Sequence, residues 1–318
     1  MDVRARLGGG ERLPVGPDPE HRVLGAGVVL GDDGDAHREQ YATRSRPSMT
    51  GVAPDVAVQV VNYRMRGQLE RCLPSVLADL AGSALDHRVL VLDNASGDDL
   101  SELASRHPEV DFSVAERNLG FGAGHNRLAA RHDAAALLLL NPDAAFVEPR
   151  TVARLLEALG GDVAAVGPRL VDAAGAVDPR DHGELRGFRA RVAQAAGHSH
   201  YRRRAEPVDA AWVSGAACLV SRRAFDAVGG FDPGFFLYKE EEDLFLRIRR
   251  DGGRVRYLPS VRVRHDGAAV ASRHEHLAAS VARYAGKHVR SRAQRRLMPP
   301  LHRAVTVWGG RLDRLRRR

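Results

Sequence analysis

The chain is short of cysteine, lysine and long apolar runs, and each shortage removes a class of protein. Two cysteines in 318 residues, Cys72 and Cys218, cannot build a disulfide framework and lie in no metal-type cluster, so a reducing compartment is expected. The longest wholly apolar run, Ala134–Leu140, falls far below the roughly 20 residues of a membrane-spanning helix. The amino terminus offers acids and glycines where a secretory leader needs a basic stretch and then an apolar one, which points to the cytoplasm. Lys239 and Lys287 are the only lysines; almost all positive charge is arginine. The net charge of +8 invites a nucleic-acid partner, but its distribution argues against one. From Lys287 to Arg318 eleven Lys or Arg oppose a single acid, Asp313. That tail holds the whole excess, the rest is near neutral, and no nucleic acid is expected as partner.

Residues 1–53 are rich in Gly, Pro and charge without a period of 2 or 3.6, which predicts a disordered extension. Met49 stands just before the first strand, where an alternative start would leave the folded part whole. From Val56 apolar runs alternate with helical stretches, the pattern of a mostly parallel sheet flanked by helices. Strands are predicted at Val56–Asn62, His87–Leu92, Asp111–Ala115, Ala135–Leu140, Val163–Arg169, Ala211–Ser221 and Arg254–Tyr257. Helices are predicted at Gly67–Ala81, Leu100–Arg106, Gly124–His132, Thr151–Leu159, Arg222–Val228 and Glu240–Asp251, with a long one over Arg273–Arg296. Residues 171–207 give no clear pattern. A catalytic domain over 54–272 followed by a basic helical tail over 273–318 is the expected organisation.

Two strands end in an acid. Asp93, followed by Asn94 and Ser96, sits where a buried strand meets a loop, at the edge where open α/β sheets bind ligands. There a carboxylate accepts from ribose hydroxyls; its alternative is to cap the next helix. Asn141-Pro142-Asp143 repeats the arrangement after a strand too apolar to hold an unpaired charge. A carboxylate there suits Mg²⁺ or Mn²⁺, which take oxygen ligands and leave positions for a diphosphate, unless the triplet is only a turn. Between them lies a glycine-rich segment from Glu116 to Asn126 with a helix behind it, which raises a dinucleotide oxidoreductase as rival. Its fingerprint belongs after the first strand, however, and this one follows the third. The densest acidic stretch, Glu240-Glu241-Glu242-Asp243, follows aromatics and precedes Arg247; clustered carboxylates raise one another's pKa and supply general bases, the alternative being a solvated helix start. Helical spacing lets Glu241 face a cleft while Asp243 pairs with Arg247.

In that order the motifs resemble the family 2 inverting glycosyltransferases of GT-A fold, in their bacterial rhamnosyltransferase-like branch. The resemblance runs from Val56 to about Ser272. It rests on Asn62-Tyr63, Asp93-Asn94-Ala95-Ser96, Asn118-Leu119-Gly120-Phe121-Gly122 with Asn126, Asn141-Pro142-Asp143, Trp212-Val213-Ser214-Gly215-Ala216, Gly229-Gly230-Phe231-Asp232, Phe235–Asp243, and His265 with Gly267. It implies that Asn62, Asp93, Asn94, Asn118, Gly122, Asn126 and Asp143 bind the nucleotide-sugar, a dTDP- or UDP-sugar. Asp143 and His265 would hold a divalent metal, Mg²⁺ or Mn²⁺. Trp212 and Gly215 would line the sugar or acceptor pocket, and Glu241, with Glu240 and Asp243, would supply the base. Asn141 stands where many relatives have an acid, implying modest metal affinity, and Glu241 is longer than the family's aspartate, which leaves Glu240 as a competing base.

Leu301, Val305, Trp308, Leu312 and Leu315 recur at helical spacing among arginines, so a basic amphipathic helix in 297–318 is expected to touch an anionic membrane at its inner face, or to dock on protein. Membrane contact would suit a polyprenyl-linked or glycan acceptor of the cell envelope. The non-enzymatic alternative is a nucleotide-sugar-binding protein with a dead site.

Overall fold

The computed structural model describes residues 53–178, 180–184, 189, 190, 192, 203–267 and 273–300. The amino-terminal extension up to residue 52 and the amphipathic helix expected over 301–315 lie outside them. The first half alternates as predicted except for one added strand, β5: β1 (Val56–Asn62), α1 (Arg66–Ala81), β2 (His87–Asp93), α2 (Ser101–Arg106), β3 (Asp111–Val114), α3 (Phe121–Ala129), β4 (Ala136–Leu140), β5 (Ala144–Phe146), α4 (Thr151–Glu157) and β6 (Val163–Val171). Then come β7 (His182–Gly183), β8 (Val208–Ala210), β9 (Trp212–Val213), β10 (Ala217–Ser221), α5 (Arg222–Ala227), α6 (Glu240–Arg250), β11 (Arg254–His265) and α7 (Arg273–His288).

Apolar residues at period 2 on the strands and 3.6 on the helices explain the layering. Val56, Val58 and Val60 of β1 meet Leu69, Leu73, Val76 and Leu80 of α1 on one face of the sheet. Leu137 and Leu139 of β4 point to the other face, into a core with Phe225, Phe231, Leu244, Phe245 and Ile248. The main sheet runs in the order β3-β2-β1-β4-β10-β6-β11-β5, with β8 also on β11. β3, β2, β1 and β4 are parallel, as are β6 and β11; β10 runs antiparallel to both β4 and β6, and β5 and β8 run antiparallel to β11. This is a mostly parallel sheet flanked by helices.

Three predicted elements come out differently. Ala211–Ser221 is two strands: β9 leaves the main sheet to pair with β7, and the chain breaks stride at Ser214-Gly215-Ala216 before β10. β11 continues to His265, well past Tyr257, because a register shift between Leu258 and Arg262 absorbs Pro259. The long helix over Arg273–Arg296 ends at His288, and a further helix covers 292–300. Both pack on the outer side of the sequence leading into α6, where Phe235, Leu246, Val281, Tyr284, Ala285 and Met298 form a small core. No helix among the described residues is long and apolar enough to cross a membrane.

One glycine holds two distant loops together. Gly120 has φ +84°, and a Cβ there would collide with the Phe236 carbonyl, which accepts from Phe121 N at 3.0 Å. Gly120→Ala is therefore expected to cost about 2–4 kcal/mol, from left-handed backbone strain plus the clash. Calorimetry should show Tm falling by roughly 5–15 °C; an unchanged Tm would mean that the two loops are not clasped.

Candidate active site

Because β1, β2 and β4 are parallel neighbours, the turns after them open at one edge. There Asn62 Nδ2 donates to Asp93 Oδ1 at 3.1 Å and to Asp98 Oδ2 at 3.0 Å, and Ser96 N donates to Asp93 Oδ2 at 3.2 Å. Asp93 is thereby a fixed, 5% exposed acceptor. The Asn62 amide oxygen is buried without a hydrogen-bond partner among the described residues, an acceptor ready for a donor from outside the chain. Asn94 donates to Asn118 Oδ1 at 3.0 Å and to the Gly120 carbonyl at 3.2 Å, and accepts from Leu119 N at 2.9 Å, so the two asparagines shape the loop before α3.

Asp143 and His265 are brought together by sheet register. β5 begins immediately after Asp143 and pairs Ala144 with His265. That sets His265 Nε2 3.4 Å from Asp143 Oδ1. Without the continuation of β11 past Pro259 the histidine could not arrive there. His265 Nδ1 is buried with no hydrogen-bond partner among the described residues. Among the described residues no group of three or more His, Cys, Asp or Glu is gathered for a metal. One carboxylate and one imidazole nevertheless fit a divalent cation that takes its remaining ligands from diphosphate and water. Beneath the turn, burial and then the Asp143 charge push the Cys72 thiol up to about 12, so it is an inert packing group.

The four acids of the first turn of α6 divide into two pairs with different fates. Glu242 pairs with Lys239, and Asp243, 0% exposed, accepts from Arg247 Nε at 2.8 Å and also meets His288 and, at 2.8 Å, Lys287. Burial opposes ionisation of Asp243, but His288, Lys287 and Arg247 outweigh it and hold the carboxyl below the usual range. A permanently paired carboxylate takes no proton from a substrate, so Asp243 anchors the helix. Glu240 and Glu241 are the other pair: each keeps a buried Oε2 without a hydrogen-bond partner among the described residues. Burial, then the Glu241 charge, raises Glu240 well above the usual carboxylate range; burial, then the Glu242 charge, raises Glu241 to about 7. Glu240 is nearly sealed, whereas Glu241 is only half-buried. A Cβ on Gly215 would lie 4.0 Å from Glu241 Cβ, and the Ala216 carbonyl accepts from Asn141 N at 2.9 Å. The chain at 214–216 thus links Glu241 to the turn that carries Asp143.

Strain gathers at the same edge. Of the five non-glycine residues with positive φ among the described residues, Arg64, Ala95, Tyr238 and Lys239 stand in the loops after β1 and β2 and immediately before Glu240. Each costs on the order of 1 kcal/mol and persists where surrounding contacts over-determine it, as they do at functional sites.

Several sequence expectations move. Gly122 lies inside α3, where a Cβ would come 2.8 Å from the Phe231 side chain; it and Gly124, similarly tight on Val61, serve helix packing. α3 begins at Phe121, three residues ahead of prediction, because glycine propensity is overridden by this close approach. Asn126 uses both ends of its amide on the Phe231 backbone, at 2.8 and 2.9 Å, and braces the chain ahead of α6. Trp212 is buried in the second core, its ring over Gly183, while Gly215 alone of that pair abuts the acids. Sequence reasoning missed Asp98, whose Ser-Gly-Asp turn is a detectable signal, and Lys287 and His288, for which no local signal exists.

The sequence model described as glycosyltransferase like family 2 matches residues 54–286. The N-acetylglucosaminyl-diphospho-decaprenol L-rhamnosyltransferase of Mycobacterium tuberculosis is 32% identical over 258 residues, covering 73% of this chain and 82% of that protein. The low-salt glycan biosynthesis hexosyltransferase Agl10 of Haloferax volcanii is 23% identical over 62% of this chain and 62% of its own. Among solved structures, the mannosyltransferase PcManGT of Pyrobaculum calidifontis, in complex with GDP-Man and Mn²⁺, has a TM-score of 0.51 at 17% identity, covering 85% of this chain and 74% of its own. GalNAc-T7 with UDP, GalNAc and Mn²⁺ has the same TM-score and identity, over 67% of this chain and 44% of that one.

Proposed function

The chain belongs to glycosyltransferase-like family 2 and is a glycosyltransferase of GT-A fold, and on that premise we propose that it moves a sugar, with inversion, from a nucleoside-diphosphate donor to a hydroxyl of a glycan or polyprenyl-diphosphate-linked acceptor. Rhamnose is the sugar and a dTDP- or UDP-sugar the donor class that the resemblance favours, in keeping with the name of the mycobacterial relative. The observation that carries the reading is the division of labour in α6: two acids locked in ion pairs, and beside them Glu241, half-buried, near neutral in pKa and next to the Gly215 segment.

In this reading Asn62 and Asp93 orient the nucleoside, Asn94 and Asn118 hold the loop that walls it, and Asp143 with His265 binds a divalent metal. Such a metal, when bound, neutralises charge developing on the departing diphosphate. Glu241 accepts the proton of the acceptor hydroxyl as its oxygen bonds to the anomeric carbon; the bond to the diphosphate breaks, and the diphosphate leaves with the electron pair. One displacement at one face gives inversion. Glu240, more deeply buried, stays protonated and limits the charge beside Glu241.

The rival oxidoreductase would need Gly122 and Gly124 at a phosphate, and both are packed against side chains. The test is thermal: UDP or dTDP at about 100 times its Kd with Mn²⁺ should stabilise the protein by about 2.7 kcal/mol, and NAD should not. Release of nucleoside diphosphate from a donor panel that includes dTDP-rhamnose then separates an active enzyme from a dead binder. Stabilisation by NAD alone would overturn the assignment.

A further inference from the structure

A second charged cavity lies away from the donor edge. It has a volume of about 450 Å³ and is lined by Arg250, Lys287, His288, Arg290 and Arg295. No acid belongs to the lining. Lys287 is committed to Asp232 and Asp243. Arg250, Arg290 and Arg295 have no carboxylate partner among the described residues; Arg250 instead reaches His288 Nδ1 at 3.1 Å. Because arginine only donates, His288 Nδ1 accepts and its Nε2 carries the proton towards Asp243. One wall of the cavity is therefore fixed in place by the buried acid of α6, and three arginines share its lining.

Guanidinium forks match phosphate oxygens in shape as well as charge. We propose that this cavity binds a phosphate group, separately from the donor diphosphate. Arg250 closes α6 and Glu241 stands in its first turn, nine residues away, which at 1.5 Å per residue is about 14 Å along the helix. None of Asn62, Asp93, Asp143, Glu241 or His265 lines the cavity, which sets it apart from the donor edge, while Lys287 and His288 tie it to Asp243, near enough for a phosphate held there to belong to a molecule or surface that also presents the acceptor. In the sequence, Arg295 is followed by Arg296 and by six further arginines from Arg303 to Arg318. The inference does not depend on the transfer reading, since binding is measured without turnover.

The test uses the full chain and the double variant Arg290→Ala/Arg295→Ala. Arg290 is exposed, Arg295 half-buried, and both lie outside the donor edge, so Tm and donor hydrolysis should stay close to the parent. Two arms identify the source of the phosphate. Pyrophosphate is titrated by calorimetry in EDTA, so that a metal-assisted donor site is silent. Co-flotation is measured with phosphatidylglycerol vesicles and with phosphatidylcholine vesicles. At roughly fivefold per arginine, the variant should partition to phosphatidylglycerol about thirtyfold more weakly, and parental binding should decline as salt rises. Loss in the vesicle arm alone identifies a lipid headgroup; loss in both arms identifies a site open to free phosphate as well. Arg290→Lys/Arg295→Lys should restore most of the binding. A change below threefold in both arms, with the variant folded, overturns the proposal and leaves any vesicle binding to residues beyond 300.

Discussion

Glu241→Gln should lower kcat by about 10²–10⁴, the range for loss of a general base, while leaving KM for the nucleotide-sugar within a fewfold of the parent. Glutamine keeps the length and one oxygen but takes no proton. The pH dependence gives the sharper signature. A base works only when ionised, so the parental kcat should fall about tenfold per pH unit below the raised Glu241 pKa of about 7. In the variant that acid limb should vanish. Stability should move in the opposite sense. A carboxyl whose folded pKa lies above its unfolded value contributes stability that is complete below about pH 4.5 and is lost as pH rises through about 7. Glu241→Gln should therefore equal the parent in Tm at pH 5 and exceed it at pH 8. Parental turnover by the variant, or an unchanged acid limb, would remove Glu241 as the base and transfer attention to Glu240.

Asp143→Asn is expected to reduce transfer by 10³ or more and to abolish the Mn²⁺-dependent part of thermal stabilisation by UDP or dTDP. Asn141 offers no second acid in the turn. The fold should tolerate the change. The main-chain contacts of the turn stay in place: Ala144 N donates to the Asn141 carbonyl at 3.1 Å, and Asp266 N to the Asp143 carbonyl at 3.1 Å. Tm without ligand should then match or exceed the parent, because a buried carboxylate has been neutralised. His265→Ala should weaken the same metal response less, as one of two ligands to a cation that also binds diphosphate. Nucleotide stabilisation that remains metal-dependent in Asp143→Asn would break the assignment of this pair.

The sequence carried the sheet because its strands are buried on both faces and read as unbroken apolar runs: β1 and β4 are predicted to within a residue, and the acids after them fall where parallel strands end. It failed where local propensity was overruled by packing. Gly122 fell in the glycine-rich segment ahead of a helix expected from Gly124, yet both glycines lie inside α3, where it packs tightly on Phe231 and Val61. The resemblance implied that Trp212 lines a pocket, whereas β9, which carries it, pairs separately with β7 and its ring is buried. The end of β11 was placed at Tyr257 because nothing local announces a strand that resumes after a proline.

By itself the sequence determined the order of strands and helices, the positions of Asp93, Asp143 and the Glu240–Asp243 run along that order, and the concentration of positive charge after Lys287. These depend on hydrophobic period and residue type, which are local. Only the tertiary structure decided which acids are spent and which remain available. Lys287 and His288, more than forty residues after Asp243, neutralise it, while no cation reaches Glu240 Oε2 or Glu241 Oε2 among the described residues. The pairing of Ala144 with His265 likewise spans some 120 positions before it sets an imidazole beside Asp143. Charge and desolvation act through space over a few ångströms, so the proton affinity of a carboxylate belongs to its neighbours in the fold and is not written in the residues beside it in the chain.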